Sequence, residues 1–302
     1  MGFDRHAAAT AMVGDNVCAV VVSHDRRDLL SECLSRLGAQ TVPPGHVLVV
    51  DTASSDGSPA MVRERFPWVE LLALTENLGG AGGFNRGLAR AHAQGHEWIW
   101  LLDDDTLPTA DALAELLAAA QRAPGRQSPA LLASRVLWTD GRPHPMNRSG
   151  PRWRRLDEMI GACAVGLTAV RYATFVSALV NRRAVDEHGL PIARYFLWSD
   201  DLEYTGRILR RDAGYVVPTS IVHHATQRPY TALEASADRY YFHVRNTLLM
   251  LRGRSWDPLE RLRYLRLLVQ TTRAYVAGNG WSATALAVVA RGVRDGLLEA
   301  PS

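Results

Sequence analysis

The sequence predicts an α/β fold, a mostly parallel sheet with helices on both faces, extended at its C-terminal end by a helical region. Two observations predict the sheet. Short apolar, β-branched runs alternate with segments of helical spacing, and several of those runs stop at polar or acidic residues. A third predicts the extension: past residue 236, strand-like composition gives way to interleaved Arg and Leu.

Residues 1–16 lack the apolar centre of a signal peptide and are expected to fray. The β-branched run 17–22 reads as a strand, and 27–38 as a helix through Leu30, Leu34 and Leu37. A second strand is expected at 46–50 and a helix around 57–65, after the Asp56-Gly57 turn. Strand 69–74, helix 81–94 and the large apolar strand 97–102 continue the alternation. A helix is expected from near Ala110. The stretch 138–158 is rich in Pro, Gly and Arg and reads as a long loop over one mouth of the sheet. Strands are expected at 173–180, 194–197 and 216–223, and a helix at 200–212. These signals divide the chain into a flexible N-terminus (1–16), an α/β domain (17–235) and a helical region (236–302).

An apolar fraction of 47% and a charged fraction of 22% are those of a soluble globular protein. The net charge of +3 is too small to argue for nucleic acid. All 34 basic residues are arginine, which leaves no lysine for Schiff-base chemistry. Cys18, Cys33 and Cys163 have no metal-ligand spacing and fit reduced thiols of a cytoplasmic protein. The apolar stretch 283–290 is far too short to cross a bilayer.

The strand 97–102 runs abruptly into Asp103, Asp104 and Asp105. Open α/β sheets bind ligands at the carboxyl ends of their strands. Three adjacent carboxylates repel one another, and a divalent cation shared with substrate phosphate would neutralise them. The plain alternative is a solvated acidic turn before a helix. Asp51 closes the second strand, where it could meet a ribose or base edge or form an Asx turn. The segment 77–87 (NLGGAGGFNRG) matches neither nucleotide-binding fingerprint. Its glycines could bring amides to a diphosphate or let a helix pack closely on the sheet. Trp198 to Tyr204 places Asp200 and Asp201 at a helix start, as caps or as a general base. His223 and His224 stand at a third strand end, where imidazole suits a Mn²⁺-type site.

In this order the pieces resemble the family 2 glycosyltransferases, most closely their bacterial galactofuranosyl- and rhamnosyltransferase branch. The matching text is 20–26 (VVVSHDR), 49–51 (VVD), 77–84 (NLGGAGGF), 102–105 (LDDD), 198–204 (WSDDLEY) and 221–223 (IVH), within a likeness spanning 17–250. The resemblance implies a Rossmann-like GT-A fold, a nucleotide-diphospho-sugar donor, and Mn²⁺ or Mg²⁺. It implies Asp51 at the nucleoside with the turn Ser23 to Arg26 beside it, and the glycine motif (Asn77, Gly79, Gly80, Gly82, Gly83) near the donor. Asp103 and Asp105 would contact the metal; Asp104 is expected to matter less or to face the nucleoside. Asp201 matches the base, with Asp200 the alternative. His223 matches a metal ligand, with His224 adjacent and the register open. Residues 175–179 depart from the family, which often has a glycine there, and this bears on the acceptor pocket.

The expected reaction is inverting, metal-dependent transfer, because the sequence supplies a metal site and a base but no evident enzyme nucleophile. UDP-galactofuranose is the favoured donor and dTDP-rhamnose the runner-up, with a glycan or lipid-linked acceptor. A catalytically silent nucleotide-sugar-binding protein is the reading from another class. Arg252, Arg254, Arg261, Arg263, Arg266 and Arg273 interleave with leucines. Helices of that kind either pack on the α/β domain or lie peripherally on anionic lipid at the inner face of the plasma membrane.

Overall fold

The computed structural model describes residues 14–228, 234 and 236–301. Most of the N-terminal segment expected to fray, and the expected domain boundary at 235, lie outside those residues.

The first half follows the predicted alternation: β1 (Val17–Ser23), α1 (Arg27–Gly38), β2 (His46–Asp51), α2 (Ser58–Arg65), β3 (Glu70–Ala73), α3 (Gly79–Ala93) and β4 (Trp98–Asp103). The strands lie in the order β3-β2-β1-β4, all parallel. β1 is buried along its whole length because both faces of the sheet are covered. Val17, Ala19 and Val21 pack in one core with Leu30, Leu34 and Leu37 of α1, while Cys18, Val20 and Val22 pack in a second with Phe84 and Leu88 of α3.

The second half adds β5 (Thr106–Pro108), α4 (Ala112–Arg122), β6 (Leu131–Leu137), β7 (Gly150–Pro151), α5 (Leu156–Ala164), β8 (Thr168–Tyr172), β9 (Ala178–Asn181), α6 (Arg182–His188), α7 (Asp200–Ile208) and β10 (Gly214–His224). The sheet continues β4-β9-β6-β10-β8-β7, with β5 paired to β10. β9 runs antiparallel between β4 and β6, so the parallel sheet gains antiparallel additions on this side. Three sequence expectations need correction. Residues 173–180 are not one strand: a 3-10 turn, Phe175–Ser177, precedes β9, and Ser177 Oγ accepts a hydrogen bond from the Trp100 indole at 2.9 Å. The stretch 138–158 is a loop only in its first part and then supplies β7 and the start of α5. Residues 194–197 form no strand; a 3-10 turn, Ala193–Tyr195, leads into left-handed backbone.

Three helices close the chain: α8 (Ala237–Arg252), α9 (Pro258–Gly278) and α10 (Ala283–Leu298). α9 opens on a capping box between Asp257 and Glu260. α8 and α10 approach closely at Gly292 and Gly296, where a Cβ would meet Val244 and Leu248. Trp256, between α8 and α9, is buried with Ala81 and Tyr195 and so ties the extension to the sheet domain. Among the described residues, no helix is long and apolar enough to cross a membrane.

Candidate active site

Parallel register brings the polar ends of three strands to one edge. Ser23 pairs with Asp51, and Val22 with Asp103. The chain then turns through Asp104 and Asp105 and reverses into β5, which pairs with β10 so that His224 lies opposite Thr106. Two distant segments of sequence thus meet at one corner. The amide of Ala225 donates to the Asp105 carbonyl at 2.8 Å.

The ligand atoms of Asp103, Asp105 and His224 all lie within 4.8 Å of one another. His224 Nε2 is 3.0 Å from Asp105 Oδ1, and its Nδ1 is fixed by Asn147 Oδ1 at 2.8 Å. Side chains alternate along a strand, so His223 cannot share this corner with His224. The histidine brought to the carboxylates is therefore His224, one position after His223, which the resemblance pointed to with the register open. Arg26 pairs with Asp105 and lies 3.6 Å from Asp104. Burial pushes Asp103 up to about 6, helped by Asp105, and Asp104 up to about 7 against the pull of Arg26. Burial acts the same way on Asp105, but the His224 and Arg26 contacts outweigh it and hold its carboxyl below the usual range. His224 in turn is raised, because Asp105 overcomes the burial that would lower it.

Asp51 is buried; its Oδ2 accepts from the Ser54 amide at 3.0 Å, while its Oδ1 and the Ser23 hydroxyl have no partner among the described residues. The glycine motif divides by role. Gly83 packs on Val22 and Thr52, and Gly82 on Leu78, with no room for a Cβ. Gly79 has φ +67° and a Cβ there would strike the Phe196 carbonyl. Two amides at the start of α3 are already engaged, Gly79 by Asn77 Oδ1 at 2.8 Å and Ala81 by the Phe196 carbonyl at 3.2 Å. Asn77 also contacts His24 Nε2 at 3.0 Å.

Asp200 and Asp201 begin α7, after a segment of unusual backbone. Phe196 (φ 61°) is the centre of a tight γ-turn closed by the Leu197 amide on the Tyr195 carbonyl at 2.6 Å. Trp198 and Ser199 are also left-handed. Non-glycine residues held there cost about 1–3 kcal/mol each and gather at functional sites. Burial drives Asp200 well above the usual carboxylate range, with Asp201 adding to it, and pushes Asp201 up to about 7.

A cavity of about 960 Å³ joins these parts. Its wall includes Ser23, Arg26, Asn77, Gly79, Gly80, Asp103, Asp104, Asp105, Asp200, Asp201 and His224. Asp51, Gly82, Gly83 and His223 are not on the wall. The wall also holds His24, from the turn expected beside the nucleoside, and residues that sequence reasoning did not single out for the site: Asn147, Arg148, Phe196, Arg239 and His243, with Tyr264, Leu267 and Leu268 from α9. His24 lies inside a matched motif and was within reach; the others come from loops and helices with no motif.

Residues 18–189 match the family model described as Glycosyl transferase family 2. The chain is 34% identical over 220 residues to galactofuranosyltransferase GlfT1 of Mycobacterium tuberculosis, covering 68% of this chain and 70% of that protein. It is 24% identical over 280 residues to N-acetylglucosaminyl-diphospho-decaprenol L-rhamnosyltransferase of the same organism, covering 80% and 85%. Mannosyltransferase PcManGT of Pyrobaculum calidifontis, solved in complex with GDP-Man and Mn²⁺, superposes with a TM-score of 0.55 at 20% identity, covering 94% of this chain and 81% of that one.

Proposed function

Because the chain belongs to glycosyl transferase family 2, we propose that it is an inverting, metal-dependent enzyme that moves a galactofuranosyl unit from UDP-galactofuranose to a hydroxyl of a glycan or lipid-linked acceptor. That it is a glycosyltransferase with a GT-A fold follows from the family and the structural neighbours. The donor, the metal and the stereochemistry are inferred. The observation that carries the inference is one cavity walled both by the Asp103–Asp105–His224 cluster and by the Asp200–Asp201 pair.

Asp103, Asp105 and His224 fit a divalent cation, Mn²⁺ or Mg²⁺, because three adjacent carboxylates, two of them buried, converge with an imidazole on one corner beside a single arginine. Such a cation would neutralise charge developing on the leaving diphosphate. Asp201 removes the proton from the acceptor hydroxyl as that oxygen attacks the anomeric carbon and the bond to the diphosphate breaks. Its carboxyl, raised to about 7, is basic enough for the task near neutral pH. Asp200, driven well above the usual carboxylate range by burial and by its neighbour Asp201, is the weaker candidate. The partnerless Asp51 oxygen and Ser23 hydroxyl support a nucleoside at the β1–β2 edge. With Gly79 and Ala81 amides engaged, the glycine motif serves close packing more than phosphate binding.

Galactofuranose is favoured over rhamnose by the higher identity to the galactofuranosyltransferase. A lipid-linked acceptor is supported by α9. Its Tyr264, Leu267 and Leu268 line the cavity, while Leu259, Leu262, Leu265 and Val269 are exposed among the exposed Arg263, Arg266 and Arg273. A panel of nucleotide-sugars scored for nucleoside diphosphate release tests the donor. UDP release from UDP-galactofuranose is expected, release of dTDP from dTDP-rhamnose alone selects the alternative, and release from neither overturns both.

A further inference from the structure

Asn246, on α8, is fully buried and 45 residues beyond the carboxylate pair in sequence (246 − 201). Its carboxamide nitrogen donates to three backbone carbonyls of one short segment, Tyr195 at 2.8 Å, Leu197 at 2.7 Å and Trp198 at 3.0 Å. Its neighbour Arg245 donates to a fourth, Arg194, at 3.0 Å, and to Asn246 Oδ1 at 2.9 Å, which fixes which end of the amide faces the segment. These carbonyls belong to the γ-turn and the left-handed residues that deliver Asp200 and Asp201 to the cavity. A side-chain amide has only two N–H groups, so three acceptors can converge on it only if the segment holds this bent path. Two ring contacts seat the same segment on α8: Phe196 stacks on Phe242 at 5.1 Å, and Trp198 meets His243 edge-on at 6.4 Å. On its other side the Phe196 carbonyl takes the Ala81 amide of the glycine motif.

We propose that Asn246 is a positioning residue for the catalytic carboxylate: it holds the 195–199 backbone in its unfavourable conformation and so fixes where Asp201 points, without touching substrate. The inference rests on the base assignment above. A small displacement of a reacting group costs large factors in rate while leaving ground-state binding intact, and a positioned group misplaced by an ångström can lose about 100-fold.

The test uses the full-length chain with Asn246→Asp, which keeps the volume and shape and removes both donors, and Asn246→Ser, which keeps one donor at smaller volume. Turnover is normalised to the concentration of sites that bind UDP in the presence of Mn²⁺. The expected result is a fall in kcat of about 10- to 100-fold for Asn246→Asp, a smaller fall for Asn246→Ser, and UDP affinity and donor KM within about threefold of the parent. Turnover per UDP-binding site within twofold of the parent overturns the proposal. So does a loss of UDP affinity in step with kcat, or failure of both variants to fold, because either makes Asn246 a general packing residue. Asp200→Asn and Asp201→Asn run alongside: if both keep full turnover, the base assignment fails by itself, whatever the Asn246 variants do.

Discussion

Each carboxylate at the cavity has a different environment and therefore a different expected phenotype. Asp103→Asn or Asp105→Asn removes one of the proposed cation ligands; transfer should fall below detection and Mn²⁺-dependent UDP binding should weaken, as measured by calorimetry. A double variant that transfers sugar at the parent rate without metal would refute the assignment. Asp201→Asn should leave UDP affinity near normal and lower turnover by about 10²–10⁴, the usual worth of a positioned proton acceptor. If Asp200→Asn is the inactive one instead, the base is the deeper member of the pair. The triplet and the Asp pair were legible in the sequence because charged clusters interrupt apolar runs. The choice between His223 and His224 was not, because the β6–β10 register shifts between Val217 and Ile221, and such a slip changes which face each later side chain takes. Asn246 was invisible for another reason: a buried asparagine in a helix carries no pattern, and its meaning lies in three carbonyls far away in sequence.

At the scale of elements, α3 can start where it does only because residue 79 lacks a side chain. Gly79→Ala should be strongly damaging, since φ is +67° and the new methyl would press on the Phe196 carbonyl. Both melting temperature and turnover should drop, whereas Gly80→Ala, with open space around its Cβ position, should keep a near-parent melting temperature. The parallel strands β1 to β4 and the helices between them were readable from period and composition. β6 and β8 were not: polar Ser134, Arg135 and Arg171 break their apolar runs; Arg135 is exposed, while Ser134 and Arg171 find partners only in the folded chain, Ser134 with Ser177 and Ser220, Arg171 with Glu260. α9 buries only Leu268, Tyr275 and Val276 along its length. If its outer leucines meet an anionic bilayer, the protein should float with anionic liposomes at low salt and less at high salt. No lipid-dependent shift would leave α9 as part of the fold alone and favour a soluble acceptor.

Across the whole molecule, burial raises Asp103 to about 6 and Asp104 and Asp201 to about 7. An unfolded chain releases these protons near pH 4, whereas the metal-free folded protein keeps them until pH 6–7. The stability they confer is therefore present below about pH 4 and is lost as pH rises to about 7. Thermal melts should show Mn²⁺ raising the melting temperature more at pH 8 than at pH 5, because at low pH the cation must first displace protons. Equal increments at both values would argue against a cation at this cluster. The layout of the site also has a consequence in time. A ribosome delivers Asp51 first, the acidic triplet just past the first third of these residues, the carboxylate pair at two thirds, His224 afterwards, and the helix bearing Asn246 later still. A nascent chain can thus pair the strand ends that carry Asp51 and Asp103 before the helix bearing Asn246 has been made, so the proposed brace on the 195–199 backbone is the last of these parts to arrive.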